Sequence, residues 1–155
     1  MTKLLTIYFS AVLIVSCTGT GTAQDRAQAA KIAVSKMAQE TVDCAAYFEI
    51  VSLALLHSNE GDTSQEYLAA RGKALDRAES LSQGIVNDRY GDAMRDMTNR
   101  IVLANMTKQI DQNLSNLSIT DISVLGEQYG KLCKEVLSDP GARAKYWMEH
   151  VGPAP

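Results

Sequence analysis

AKIAVSKMAQETVDCAAYFEIVSLALLHSNEG, residues 30–61, decides the fold. Within it Ala30, Val34, Met37, Thr41, Cys44, Phe48, Val51 and Leu55 recur at alternating spacings of four and three. That is the seam of a helix packed nearly parallel to a neighbour. The pattern predicts a helix over residues 27–56. His57-Ser58-Asn59-Glu60-Gly61 reads as its stop, with Gly61 suited to the left-handed position past a helix end.

Working outward toward the C-terminus, the helical period continues. Thr63, with Glu66 three residues on, spells a capping box for a second helix. Leu68, Leu75, Ala78, Leu81 and Ile85 give its inward stripe. Gly84, Asn87, Asp88 and Gly91 spread the next turn over several positions. A third helix is predicted over 92–114, with Met94, Met97, Ile101, Ala104 and Lys108 on one stripe and Leu103, Met106 and Ile110 broadening it. Residues 113–120 read as a polar connection. A fourth helix is predicted over 121–137, with Ile122, Leu125, Tyr129, Leu132, Cys133 and Val136 facing inward. Asp139-Pro140 then opens a short last helix, since proline at the first helical position gives up an N–H that has no partner there. Tyr146, Trp147 and Met148 supply its apolar side, and 151–155 reads as a disordered tail. Strand-like alternation is missing throughout, and good helix formers dominate. Short connections make successive helices antiparallel. The expected fold is all-α: an up-down-up-down four-helix bundle with a short C-terminal helix.

Two of the three cysteines fall on inward stripes. Cys44 lies about 12 residues before the end of the first helix, and Cys133 about 12 residues after the start of the fourth. At about 1.5 Å per residue, both sit about 18 Å from the same end of the bundle. A disulfide needs Cα atoms about 5.5–6 Å apart, closer than the roughly 8–10 Å of ordinary helix packing. Ala45, Gly126 and Gly130 are read as the small residues that permit the approach. The pattern therefore predicts a Cys44–Cys133 disulfide linking the first and fourth helices.

The N-terminus speaks to compartment. Met1 and Lys3 form a short positive start, and Leu4 to Ser16 carries no charge. The run is shorter than the roughly 20 residues that span a bilayer and fits the core of a secretory signal. Ile14-Val15-Ser16-Cys17 resembles the lipobox of bacterial lipoproteins, and that resemblance implies lipidation at Cys17. Gly21-Thr22-Ala23 offers a competing cleavage site with small residues at the required positions. The signal then covers 1–23, or 1–16 in the lipoprotein case, ahead of a single helical bundle domain over 24–150.

The full chain carries a net charge of −3, with its basic residues scattered. Binding to nucleic acid through phosphate neutralisation is not expected. No metal or other cofactor is expected either. His57 and His150 fall near opposite ends of the bundle. The Glu-x-x-His pairs of di-iron bundles, Cys-x-x-Cys-His and Gly-x-Ser-x-Gly do not occur, so no catalytic residue is assigned. Tyr146 and Trp147 are candidate partner-binding aromatics, because such residues are enriched at binding hot spots. The expectation is an exported, non-enzymatic envelope protein that binds another envelope protein as an inhibitor, immunity or assembly factor. It meets a membrane only through the anchor at Cys17. The alternatives are a carrier holding a small ligand between helices, and a hydrolytic enzyme built around one of the histidines.

Overall fold

The computed structural model describes residues 22–82, 86–105, 110 and 114–151. Residues 1–21, Cys17 among them, and the tail after 151 lie outside the described residues. Those described form five helices and no strand: α1 (Ala23–His57), α2 (Gly61–Leu81), α3 (Val86–Ala104), α4 (Ser123–Ser138) and α5 (Pro140–His150). The first four alternate in direction as a bundle, and α5 packs on α1 and α4. None of these helices is long and apolar enough to cross a membrane.

α1 is the axis on which the other four pack. Its repeat predicts one buried seam, and the structure buries more. Cys44, Ala45, Ala46, Tyr47 and Phe48 are consecutive and all buried, so the middle of α1 is covered on every side, as for a helix inside a core. Toward its N-terminus the cover ends: Val34, on the predicted seam, is exposed, and Ala33 is the first buried residue.

The α1–α2 turn differs from expectation. Asn59, not Gly61, takes the left-handed conformation, at φ 60°. The Glu60 N–H bonds to Leu55 O at 3.0 Å and the Asn59 N–H to Leu56 O at 3.3 Å. That pair of bonds is a Schellman motif with asparagine in the glycine position. It closes α1 so tightly that α2 starts at Gly61. Thr63 and Glu66 therefore lie inside the helix, and the predicted capping box does not form. What sets this register is tertiary. Ser64 Oγ donates to Ser52 O at 3.0 Å and lies 2.8 Å from Ser52 Oγ, both hydroxyls being buried. Since Ser64 has spent its one proton on the carbonyl, Ser52 donates in the second bond.

α3 begins at Val86 rather than 92 and ends at Ala104 rather than 114. Its early start carries Arg89 and Tyr90 onto α1. Its end is tied by Asn105, whose side-chain amide reaches Ile101 O at 2.9 Å and Asp121 O at 3.0 Å. The connection to α4 is less polar than its sequence suggests, for Leu114 and Leu117 are buried in the core. Asp121 holds it in shape, accepting from the Ser118 N–H and hydroxyl at 2.9 and 2.6 Å.

Cys44 and Cys133 are bonded, with Cα atoms 5.2 Å apart. One turn further along α1 and one turn back along α4, the rings of Tyr47 and Tyr129 stack at 6.0 Å. Antiparallel neighbours meet in that order. α5 starts as predicted, with Asp139 Oδ1 accepting the Ala142 N–H at 2.9 Å and Pro140 first in the helix.

Several stripe residues point outward. Leu68 is exposed and Leu103 is 67% exposed. On α2 the inward positions are Ser64, Tyr67 and Ala74, together with Leu75 and Ala78 from the predicted stripe. Gly126 is not part of the clearance for the disulfide: a Cβ there would meet nothing within 4 Å. Glycine in a helix interior costs about 0.5–1 kcal/mol relative to alanine. Gly126→Ala should therefore raise stability by about that amount, read as a higher urea midpoint at unchanged slope. A lower midpoint would show that the site needs glycine.

Candidate functional site

α2 and α4 lie on α1 from two sides, and between them runs an open groove of about 860 Å³. The helical period supplies its walls. Glu66, Ala70, Lys73 and Arg77 share one face of α2 at spacings of four, three and four, and Gly130, Lys134 and Leu137 share one face of α4. The floor is aromatic. Tyr47 and Phe48 come up from α1, and Phe48 meets Tyr67 of α2 with ring centroids 6.0 Å apart. The buried Cys133 sulfur adds to the floor.

Two features keep the groove open. Gly130 has no side chain over Tyr47; a Cβ there would sit 3.6 Å from the Tyr47 hydroxyl. At one end Arg77 bridges the two walls, donating from Nη1 to Val136 O at 2.6 Å and to Leu137 O at 3.2 Å. These are carbonyls of the last turn of α4, which have no partner within the helix. Arg77 thus ties α2 to α4 while its charge meets no carboxylate among the described residues. Burial pushes the Tyr47 phenol above its ordinary pKa, and Tyr67 adds to that. Tyr47 is therefore a neutral donor at physiological pH.

The other polar clusters hold the scaffold. Arg89 Nε and Nη2 donate to the two oxygens of Asp43 at 3.1 and 2.9 Å, joining α3 to α1. Burial pushes the Asp43 carboxyl above its usual value, outweighing the pull of Arg89. The Tyr90 hydroxyl donates to Glu49, and Arg71 Nε donates to the same hydroxyl at 3.0 Å. Burial first, and the bond to Glu49 second, push Tyr90 up to about 12. Such a phenol is a poor proton donor or nucleophile near neutral pH, so this trio reads as a clip joining three helices.

Tyr146 and Trp147 are brought together on α5 with ring centroids 5.3 Å apart. Trp147 faces inward and donates from Nε1 to Glu40 Oε2 at 2.9 Å. Arg143 pairs with both oxygens of Glu40, and its guanidinium lies over the Tyr146 ring at 4.2 Å. Tyr146 stays partly exposed and stacks on His150 at 4.0 Å. His57 is exposed at the end of α1, and neither histidine lines the groove.

The groove is the feature that periodicity misses. Tyr67 sits one residue off the predicted α2 stripe, and that displacement is what brings it over Phe48. Gly130 was the available signal, but it reads equally as clearance for the disulfide. Comparison with protein-family models, with curated proteins and with solved structures found no match.

Proposed function

We propose that the protein is an exported carrier of the cell envelope that holds a small ligand between α2 and α4. One observation carries this reading: a groove of about 860 Å³ with an aromatic floor and a few polar groups at its walls. That volume falls in the range of about 300–1,000 Å³ of ligand sites, which share an apolar lining with a few polar groups. Hydrolysis centred on a histidine draws no support, because both histidines are exposed and outside the groove. Native mass spectrometry of the protein isolated from its envelope tests the carrier reading. The expected result is a non-covalent adduct lost on denaturation and lost in Ala70→Trp, which fills the groove. Adduct-free protein, or an adduct kept by Ala70→Trp, would count against it.

The partner-binding reading has its own support in α5, where Tyr146 and Met148 are exposed. It expects a photo-cross-linker at Met148 to capture one envelope protein that a cross-linker at Lys131 does not. Equal capture from both positions would remove that support.

Export rests on the uncharged run from Leu4 to Ser16 and is compatible with the disulfide, a bond that persists in oxidising compartments. For processing, the start of α1 favours the lipoprotein form. Thr22 caps the helix, its Oγ1 accepting the Asp25 N–H at 3.2 Å while Asp25 Oδ2 accepts the Thr22 N–H at 2.8 Å. Cleavage after Ala23 would remove Thr22 and leave a charged amine at a helix N-terminus, where positive charge is unfavourable. Cleavage before Cys17 keeps the cap. The intact mass of the mature chain should therefore match a lipidated Cys17 start; a chain beginning at Gln24 would overturn this reading.

A further inference from the structure

We propose that the groove takes an amphipathic anion, its apolar body on Phe48 and Tyr67 and its head group between Tyr47, Lys73 and Lys134. This rests on the carrier reading above and names the class of ligand.

The first observation is the Tyr47 hydroxyl. Tyr47 is 8% exposed, yet its hydroxyl opens into the groove beneath Gly130 and has no hydrogen-bond partner among the described residues. The hydroxyl is therefore left to water or to an acceptor on whatever occupies the groove. Since the phenol is neutral, it offers a proton to an oxygen of the occupant.

The second observation is the placement of charge. Lys73 and Lys134 face the groove from opposite walls, and neither has a carboxylate partner among the described residues. The register set by Ser52–Ser64 and Cys44–Cys133 puts both close to the level of Cys44, about one helical turn from Tyr47. Arg77 lies one turn beyond Lys73 and closes that end. Two acids also line the groove. Asp76 stands on the same end, exposed like Lys73 and Lys134, and offsets part of their charge. Glu66 lies seven residues before Lys73 on α2, about 10 Å away along the axis. The lining thus carries three cations, Lys73, Arg77 and Lys134, against two acids, Glu66 and Asp76, and the cations lie on the far side of Tyr47 from Glu66. A cationic head group would meet Lys73, Lys134 and Arg77 at the donor end. An uncharged molecule would leave them unanswered.

The head-group chemistry is a carboxylate or phosphate, from a free fatty acid or a phospholipid. The test is a titration of the full mature protein, followed by amide shifts, with dodecanoate, lysophosphatidylglycerol, dodecanol and dodecyltrimethylammonium below their micelle concentrations. The expected result is saturable binding of dodecanoate or lysophosphatidylglycerol at groove residues, at least tenfold tighter than dodecanol or dodecyltrimethylammonium. The tighter of the two anions identifies the source. Lys73→Gln with Lys134→Gln should weaken the anion at least tenfold, and Tyr47→Phe about threefold to tenfold, with melting temperatures close to the parent. The charged surface residues tolerate glutamine, so loss of fold does not confuse the first variant. Equal binding of dodecanol or dodecyltrimethylammonium in the groove would overturn the anion and leave the carrier reading standing. No binding by any probe, or unchanged anion affinity in both variants, would overturn the proposal. The adduct measurement on isolated protein would still decide whether the groove carries anything else.

Discussion

Replacing Cys44 and Cys133 together by alanine should lower the stability of the folded domain by about 2–5 kcal/mol. The bond joins residues 89 apart, so it closes a loop containing all of α2 and α3. Chain entropy alone assigns a loop of that length about 4–5 kcal/mol, and measured values often fall below such figures. Both cysteines are fully buried in the core cluster, so the double variant also loses packing there. Urea denaturation of the oxidised parent, the reduced parent and the double-alanine variant checks this. The reduced parent and the variant should unfold at similarly lowered midpoints. A loss below about 1 kcal/mol would show that helix packing alone holds α4 on α1.

Replacing Glu40 by alanine should release α5. That helix has no buried residue of its own, so area burial gives it little hold. Its attachment converges on one carboxylate, which accepts from Arg143 Nε at 2.7 Å, from Arg143 Nη2 and from Trp147 Nε1 at 2.9 Å. The side chains of Arg143 and Glu40 are 17% and 14% exposed. Breaking one partner of a fully buried pair costs about 3–5 kcal/mol; partial exposure reduces that to about 2–3 kcal/mol here. Trp147 is the one tryptophan of the chain, so its emission reports the event directly. Glu40→Ala should shift that emission to the red and open Arg143 and Lys145 to trypsin, with the α1–α4 bundle still folded. Arg143→Lys should fall between, because an ammonium cannot pair with both oxygens in the plane of the carboxylate. Unchanged emission and unchanged cleavage in Glu40→Ala would mean that α5 is held by something else.

The two predictions differ in how far the residues announce them. The disulfide follows from helix period, rise per residue and chain direction, all local quantities that extrapolate along a straight helix. Glu40 has no such signature. In the sequence it is one acid beside Asp43 on a helix face, and only the path of the chain after Pro140 brings Arg143 and Trp147 to it. The same limit applies to the groove. Periodicity separates inside from outside on each helix, but a groove exists because two helices on a shared third fail to close over it. Tyr67, Lys73 and Arg77 on α2 and Gly130 and Lys134 on α4 come to line one groove only across that gap.

Helix boundaries show where local rules yield. Thr63 and Glu66 have the chemistry of a capping box, yet α2 starts before them. The Schellman turn at Asn59 and the Ser52–Ser64 pair act on the same few residues and prevail, the serine pair being buried where the box would have been exposed. At Asp139-Pro140 the local signal stands, with the Asp139 cap formed as predicted.

By itself, then, the sequence of residues 30–61 and its continuation determined the helical class, the antiparallel order and the pairing of Cys44 with Cys133. Each depends on spacing along one chain, and a helix turns spacing into position. Only the tertiary structure decided that the middle of α1 is covered on every side, that Glu40 anchors α5 and that an aromatic groove stays open between α2 and α4. Those features depend on residues that meet across the fold, such as Arg77 with Val136 or Glu40 with Arg143. No period along the chain encodes such a meeting.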